Sequence, residues 1–294
     1  MSAHRTGSVA IVGRPNVGKS TLLNLMVGQK ISITSKKPQT TRNRITGILT
    51  RPDAQIVFVD TPGFQTQHRN ALNRIMNRSV GQAMHGVDAV VWVIEALRFG
   101  DRDAALLELL PKDVPVILVI NKIDRLKEKN ALLPFIQQVS ERREFAAVVP
   151  LSAERDKHVD ALVQEMVLLL PEGPAVYQED EVTTHSERFL AAELVREKLF
   201  RLLGDELPYS VAVEIEKFEV AENLRRIYVG ILVDKSTQKA IIIGKGGEKL
   251  KAVSTQARHD MEHMFGGKVF LEVWVRVRSG WADDAAALKN LGID

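Results

Sequence analysis

The sequence predicts two domains: an α/β domain with a mostly parallel sheet covered by helices on both faces, and a following α+β domain. Its 294 residues are about twice the usual length of one domain. In the first half, short apolar runs alternate with helix-length amphipathic stretches, a pattern typical of parallel strands buried between helices. A segment rich in Pro and Gly interrupts this alternation, and the order of elements then changes. We therefore predict domains at residues 1–173 and 187–294, joined by a linker at 174–186.

The first domain is expected to repeat strand and helix along the chain. Its apolar runs predict buried strands at 9–12, 56–59, 89–94, 116–120 and 147–149. The amphipathic stretches between and after them predict helices at 21–27, 69–84, 101–110, 131–141 and 159–170.

The second domain has a different order of elements. An amphipathic stretch predicts a helix at 187–203, and alternating segments at 210–220 and 226–233 predict antiparallel strands. A helical region follows at 248–265, and the alternating residues 269–277 predict a last strand. With a helix before residue 244, the order is helix, strand, strand, helix, helix, strand.

Composition excludes several classes of protein. The chain has no cysteine, which excludes a disulfide-stapled fold, a thiolate zinc site and a cysteine nucleophile. The N-terminus lacks the apolar core of a signal peptide, and no window reaches the roughly 18 apolar residues of a membrane span. We therefore expect a cytoplasmic protein. The net charge is only +3, so nucleic-acid binding must be argued from a local basic patch.

A phosphate-binding loop is predicted between the first strand and the first helix. The run G-x-x-x-x-G-K-S lets backbone N–H groups converge on phosphate oxygens at a helix N-terminus. Its lysine reaches the β- and γ-phosphates, and its serine hydroxyl binds Mg²⁺. The alternative is a glycine turn that only joins strand to helix. The candidate nucleotide-binding residues here are Gly13, Arg14, Pro15, Asn16, Val17, Gly18, Lys19, Ser20 and Thr21.

A second motif, Asp60-Thr61-Pro62-Gly63, ends the next apolar strand. An aspartate at the carboxyl end of a parallel strand, beside a phosphate loop, suits a role in holding Mg²⁺. Taken alone, the same residues indicate a turn with a helix-capping aspartate. We therefore predict that Asp60 and Gly63 belong to the nucleotide site.

The base is predicted from Asn121-Lys122-Ile123-Asp124, which follows the strand at 116–120. A carboxylate accepts hydrogen bonds from N1–H and the 2-amino group of guanine, whereas adenine offers no such pair of donors. Ser152-Ala153 follows the final strand, where a backbone N–H can donate to guanine O6. These motifs predict binding of GTP and GDP rather than ATP; a simple ATPase is the more distant alternative.

The four motifs together resemble those of the translation-factor-like GTPases over residues 8–170. This resemblance places the first switch at 35–43, with Thr41 rather than Thr40 as the residue that coordinates Mg²⁺; an ordinary loop is the alternative. The predicted metal ligands are Ser20, Thr41 and Asp60, and the predicted catalytic residues are Lys19, Thr41 and Gly63.

Phe64 stands where Ras-like GTPases carry a water-orienting glutamine, and Gln65 is one position late. We therefore expect slow intrinsic turnover. Asn16 matches the phosphate-loop asparagine that helps some relatives hold K⁺, so potassium is a further candidate cofactor.

A second candidate site lies around Gly244-Lys245-Gly246-Gly247. Residues 242–250 fit I-I-G-x-x-G-x-x-L, which resembles the signature of KH RNA-binding domains. Glycines in such a loop allow close approach of a phosphate backbone, and Glu248 is the only acid between Lys235 and Arg258. A purely structural loop is the alternative, and Trp281 is a further candidate for stacking on RNA. The predicted RNA-binding residues are Lys239, Ile243, Gly244, Lys245, Gly246, Gly247, Lys249 and Lys251.

A GTPase domain followed directly by such a domain in about 300 residues resembles the Era family of bacterial GTPases. The segments 29–35, 206–210 and 281–284 add to the match. The resemblance implies an α/β P-loop GTPase domain and an α+β type II KH domain. It also implies binding of single-stranded small-subunit ribosomal RNA near its 3′ end, a role in assembly of the small ribosomal subunit, a monomer, and weak peripheral association with the inner membrane. The competing hypothesis is a signalling switch whose second domain docks protein or membrane.

Overall fold

In a computed structural model, the chain is described at residues 3–35, 37, 40–64, 71–203 and 211–281. It divides into two compact units. The first comprises Met1–Ser32, Thr41–Arg69 and Asn73–Thr184, and the second comprises Ile33–Thr40, Asn70–Leu72 and His185–Asp294. The predicted first switch therefore begins in a segment that belongs to the second unit.

The first unit is built on a six-stranded sheet with strand order β2-β3-β1-β4-β5-β6. Every pair of neighbours is parallel except β2 and β3, which are antiparallel. The predicted strands are all present, and the sequence reading missed β2. The strands are β1 Arg5–Val12, β2 Ile45–Thr50, β3 Ala54–Asp60, β4 Ala89–Glu95, β5 Val116–Asn121 and β6 Ala147–Pro150.

Helices cover both faces of this sheet, as the sequence predicts. On one face, Trp92 and Leu118 belong to an apolar cluster with Val80, Leu106 and Val139 from three helices. On the other face, α1 and α5 contact the sheet and each other. The helices are α1 Lys19–Val27, α2 Ala71–Ala83, α3 Asp101–Leu109, α4 Leu132–Ser140 and α5 Val159–Leu169.

The predicted linker runs along the edge of the first unit. Ile48 N–H donates to Val182 O at 2.9 Å, so the linker adds a backbone hydrogen bond at the edge strand β2. Gln55 accepts from the N–H of Val176 at 2.7 Å and donates to Tyr177 O at 2.9 Å. Residues as far as Thr184 accordingly belong to the first compact unit.

The second unit has the predicted order of elements. Its sheet is β7-β8-β9, with β7 antiparallel and β9 parallel to β8. Helices pack on one face around buried Leu194, Val229, Ile242 and Val253. The elements are α6 Glu187–Leu202, β7 Val211–Ala221, β8 Leu224–Val233, α7 Ser236–Ile243, α8 Glu248–Phe265 and β9 Lys268–Val277.

Among the described helices, none combines the length and the apolar composition that crossing a bilayer requires.

Candidate functional sites

The phosphate loop lies between β1 and α1 and is closed by Gly18, the N-cap of α1, at φ 103°. A Cβ at this position would overlap Nδ2 of Asn121, so both the backbone conformation and the space require glycine. The first turn of α1 contains no acidic residue. Its N–H groups and the positive end of the helix dipole are therefore suited to an anion.

Lys19 is buried beneath this loop, with only 6% of its surface exposed. Its ammonium donates to the carbonyl oxygens of Gly13 at 3.0 Å and Arg14 at 3.2 Å. Burial lowers the pKa of Lys19 to about 8, while the Asp60 charge raises it and the Arg14 charge lowers it. The group that is predicted to bind the terminal phosphates is thus a desolvated ammonium held by backbone carbonyls.

Three oxygen-bearing side chains meet beside the loop at the end of β3. Ser20 Oγ lies 2.9 Å from Thr41 Oγ1 and 2.9 Å from Asp60 Oδ2. Asp60 is fully buried, and burial raises its pKa against the opposing effects of the Lys19 charge and of hydrogen bonds, including the one from Ser20. Thr40 Oγ1 instead donates to Lys37 O at 2.7 Å, so of the two threonines it is Thr41 that faces this cluster.

Ser32 is a member of this cluster that the sequence analysis missed. Its buried hydroxyl donates to Asp60 Oδ2 at 3.2 Å. Asn24 fixes the backbone here, because its Oδ1 accepts the N–H groups of Ile31 and Ser32 at 3.0 and 2.9 Å. No local pattern signals this role, since the partners are 28 residues apart in the chain.

Asn121 joins the phosphate loop to the loops after β5 and β6. Its Nδ2 donates to Val17 O at 2.8 Å, and its Oδ1 accepts the N–H groups of Lys122 at 2.7 Å and Ala153 at 3.0 Å. The Ala153 N–H, in the segment predicted to face guanine O6, is therefore hydrogen-bonded to a protein group here. One buried amide thus connects three of the predicted motifs.

Asp124, the last residue of the base-recognition motif, lies in a 3₁₀ turn at Ile123–Arg125. Its Oδ1 accepts a hydrogen bond from Ser152 Oγ at 2.6 Å, and Ser152 is fully buried. Ser152, which follows β6, therefore orients the carboxylate that is predicted to bind the base. A carboxylate held in this way presents acceptors to a purine with two adjacent donors.

Phe64, the residue after the Asp60 motif, has a side chain that can neither form a hydrogen bond nor transfer a proton. Phe64 is 8% exposed and belongs to the apolar cluster of the first unit, and its N–H donates to Gly13 O at 3.2 Å. Gly63 packs on Pro15, whose Cα would lie 2.7 Å from a Cβ added there. Gln65, the weaker candidate for orienting water, lies outside the described residues.

The candidate RNA loop joins α7 to α8 and is open to solvent. Gly246 and Gly247 adopt φ of 60° and 82°, and a Cβ on either would meet open space. Ile242 is buried in the core, whereas Ile243 is half-buried against it. Four exposed lysines surround the loop, and no carboxylate of the described residues pairs with them: Lys239, Lys245, Lys249 and Lys251.

Trp281 does not have the exposure that stacking on RNA requires. Only 1% of its surface is exposed, so its ring is unavailable to a base in this structure. This burial argues against the candidate role of Trp281 in stacking on RNA. Instead, Ile241 is a large apolar side chain exposed next to the loop, at 47% of its surface.

The fold and the first site define a P-loop GTPase: a mostly parallel sheet whose carboxyl edge brings together a glycine loop at a helix N-terminus, a buried strand-end aspartate and the carboxylate that the sequence predicts to read guanine. Residues 8–122 match the family model described as 50S ribosome-binding GTPase, and residues 206–282 match the KH domain model. A GTPase Era from Nitrosomonas eutropha is 58% identical over 293 residues, covering 100% of this chain and 99% of that protein. The chain therefore belongs to the Era family of GTPases, and its reaction is GTP hydrolysis.

Two solved structures match nearly the whole chain. One is a crystal structure of a variant of Aquifex aeolicus Era bound to GDP·AlF₄⁻, with a TM-score of 0.95 and 38% identity over 98% of this chain and 99% of that one. The other is Era in complex with MgGDPNP and nucleotides 1506–1542 of 16S ribosomal RNA, with a TM-score of 0.95 and 38% identity over 99% of each chain.

Proposed function

We propose that this protein is a GTP-driven switch that binds single-stranded RNA near the 3′ end of the small-subunit ribosomal RNA and acts in assembly of the small ribosomal subunit. The observation that carries the proposal is the open glycine loop with exposed lysines, in a chain whose relative was crystallised with that RNA. The resemblance extends the proposal to a cytoplasmic monomer with weak peripheral association at the inner membrane.

The nucleotide is held at both ends by residues of the first unit. Lys19 exchanges its two carbonyl partners for the β- and γ-phosphates, aided by the N–H groups of residues 13–18 and the N-terminus of α1. Asp124, oriented by Ser152, accepts from N1–H and the 2-amino group of guanine. The buried amide of Asn121 fixes the loops that carry these groups.

The cluster beside the phosphate loop fits Mg²⁺. Asp60 Oδ1 is buried without a hydrogen-bond partner among the described residues, Ser20 Oγ donates to the other oxygen of this carboxylate, and Thr41 Oγ1 lies 2.9 Å from Ser20 Oγ. Magnesium prefers such oxygen ligands and is usually completed by waters and substrate phosphates. When bound, the ion neutralises charge that develops on the phosphates. Ser20, Thr41 and Asp60 would hold it.

Hydrolysis is expected to be slow without a partner. Phe64 is packed in the core and offers no hydrogen bond to the attacking water. Unassisted P-loop GTPases of the Ras type turn over at about 10⁻⁴ s⁻¹. We expect Lys19, Thr41 and the backbone at Gly63 to supply the catalytic contacts, and K⁺ held beside Asn16 to accelerate the reaction.

A switch between nucleotide and RNA is supported by the segment before Thr41. Thr34 N–H donates to Glu197 Oε1 on α6 at 3.1 Å, and Arg201 donates to Thr34 Oγ1 at 3.2 Å. These partners all lie in the second unit. The same segment continues to Thr41, so ordering of Thr41 by the γ-phosphate changes the chain that α6 holds. We therefore expect RNA affinity to differ between the GTP-analogue and GDP forms.

The test replaces Lys245 and Gly246 with Asp and measures binding of an RNA with the sequence of 16S nucleotides 1506–1542. Charge reversal in the open loop should weaken binding by at least about 100-fold, while GTP turnover stays within about twofold of wild type. A matched control, Ala221→Asp with Lys268→Asp, makes the same change in charge at the opposite end of β8.

Three outcomes would contradict parts of the proposal. Unchanged RNA affinity in the loop variant excludes the loop as the binding site, and failure of the wild-type protein to bind RNA favours the signalling switch that docks protein or membrane. Equal RNA dissociation constants for the two nucleotide forms would remove the coupling between the sites.

A further inference from the structure

Glu95 forms ion pairs with three basic side chains next to the nucleotide site, although it belongs to none of the four motifs. It is the last residue of β4, and 8% of its surface is exposed. Its Oε2 lies 2.9 Å from Lys122 Nζ and 3.4 Å from an Arg14 guanidinium nitrogen, and its Oε1 lies 3.2 Å from Arg98. A single carboxylate therefore pairs with cations from separate loops.

Two of these cations come from the loops that are predicted to bind opposite ends of the nucleotide. Arg14 belongs to the phosphate loop and Lys122 to the base-recognition loop, and Lys122 Nζ also donates to Asn16 O at 2.6 Å. Asn16 and Lys122 have φ of 63° and 67°, a left-handed conformation that residues other than glycine keep only where surrounding contacts hold it. The Glu95–Lys122 pair supplies such contacts.

Asp103 anchors Arg14 from its other side. Its Oδ2 accepts from Arg14 Nε at 3.2 Å and from the Gly100 N–H at 3.1 Å, and the residue is 1% exposed. Burial raises the pKa of Asp103, whereas Arg14 opposes this effect. Burial also acts to raise the pKa of Glu95, but Lys122, Arg98 and Arg14 outweigh it and the net shift is downward. Glu95 is thus charged at neutral pH.

We propose that Glu95 is a positioning residue of the GTPase site: it ties Lys122 to Arg14, so that the phosphate loop and the base loop keep a fixed separation, with Asp103 as the second anchor. The inference rests on the proposed assignment of these two loops to the phosphates and guanine. GTP and GDP both span the loops, so loss of Glu95 speeds the release of both. Hydrolysis at saturating GTP stays nearly unchanged, because Glu95 touches no reacting atom.

The experiment compares Glu95→Gln, which keeps the side-chain size and removes the charge, with the matched control Glu108→Gln on the exposed surface of α3. Release of fluorescent GDP and of a fluorescent GTP analogue is followed after mixing with excess unlabelled GDP. Loss of the charged hydrogen bonds should accelerate both releases about tenfold, while kcat stays within about twofold. The control should release at the wild-type rate.

A double variant distinguishes positioning from a general loss of structure. If Glu95 acts through Lys122, then adding Glu95→Gln to Lys122→Gln accelerates release by much less than the product of the two single effects. Glu95→Asp restores the charge and should return release most of the way to the wild-type rate. The melting temperature without nucleotide should fall only modestly relative to the control, because the ion pairs of Glu95 are lost from the free protein as well.

Several results would overturn the proposal. Release from Glu95→Gln at the control rate, full additivity with Lys122→Gln, or a large fall in kcat at saturating GTP each contradicts positioning. If Glu95→Gln does not fold, Arg14→Gln removes the bridge from the phosphate-loop side, and unchanged release from that variant is equally decisive. Failure of the proposed function looks different, since wild type itself would then not prefer guanine nucleotides.

Discussion

The nucleotide site and the glycine loop of the second unit both combine glycines with lysines, yet they are built in opposite ways. In the first, Lys19 is buried and Gly18 has no room for a Cβ beside Asn121. In the second, Lys245 is exposed and Gly246 faces open space. One site is interlocked before any ligand arrives, whereas the other leaves its groups free to adapt.

This difference follows from the ligands. A nucleoside triphosphate is small and is bound through two groups, its base and its phosphates, so a site whose loops already hold the required separation loses little freedom on binding. A single strand of RNA is flexible and repeats its charge along the backbone, so affinity comes from exposed cations and close backbone approach. We therefore expect changes in the first site to be costly and specific, and changes in the second to be graded.

The largest expected effect is at Asp124 in the nucleotide site. Asp124→Asn leaves the 2-amino group of guanine facing an amide donor, so affinity for GDP should fall by at least about 100-fold. Xanthine carries a carbonyl in place of that amino group and should become the preferred base. Displacement of fluorescent nucleotide by GDP, XDP and ADP measures the preference.

The matched control for this prediction is Asp113→Asn, an exposed change outside the nucleotide loops. RNA affinity in the absence of nucleotide should be unaltered in both variants. A preference for guanine that survives Asp124→Asn would contradict the assignment of this carboxylate to the base.

An intermediate effect is expected from one substitution made in each loop. At Gly18, alanine would be strained at φ 103° and would overlap Asn121, so GDP affinity should fall by more than about tenfold. At Gly246, alanine has space and is disfavoured only by φ 60°, a cost of about 1–2 kcal/mol, so RNA affinity should fall by about tenfold or less. Titrations with fluorescent GDP and labelled RNA measure both.

A reversed order of these two effects would show that the two loops do not differ in rigidity as the structure indicates. Full GDP affinity in Gly18→Ala would show that the phosphate loop can rearrange to accommodate a Cβ. Complete loss of RNA binding in Gly246→Ala would show that the glycine loop of the second unit is as constrained as the phosphate loop. Melting temperatures of both variants separate these outcomes from loss of the fold.

The sequence predicted the sites where chemistry fixes a local spacing. Lys19 and Ser20 follow Gly18 directly because phosphate and metal contacts must come from one helix turn, and that spacing is visible in any P-loop chain. The carboxyl ends of parallel strands then bring Asp60 and Asp124 to the same edge of the sheet. Most of the fold and the outline of both sites follow from such local rules.

What the sequence did not reveal depends on contacts between distant segments. Strand β2 escaped prediction because Gly47 interrupts its apolar pattern, and the structure supplies the reason: a Cβ there would lie 2.8 Å from Leu23 of α1. Ser32 and Glu95 carry no motif, since the contact of Ser32 with Asp60 spans 28 residues and that of Glu95 with Lys122 spans 27. Partnerships of this kind have no periodicity to detect.

The smallest expected effect is proton uptake on GDP binding. It should occur at the buried Lys19 and not at the exposed lysines of the glycine loop. Burial holds the pKa of Lys19 at about 8 in the protein without nucleotide, and the phosphates add negative charge that raises it. At pH 8.5, binding of GDP should therefore take up part of a proton, whereas at pH 6.5 Lys19 is already protonated and takes up none. Calorimetry in two buffers of different ionisation enthalpy measures the uptake.

The lowered pKa of Lys19 also affects how stability and GDP affinity depend on pH. Because the folded pKa lies below the unfolded value of 10.5, the unfolded chain binds more protons between pH 8 and 10.5, and the contribution of this group to stability rises with pH across that window. GDP affinity should change in the opposite direction and fall as the pH rises above 8. RNA binding by the exposed lysines should respond to salt instead. A calorimetric signal that is independent of buffer at pH 8.5 would mean that Lys19 is fully charged before the phosphates arrive, and the contrast between buried and exposed cations would then lose its electrostatic basis.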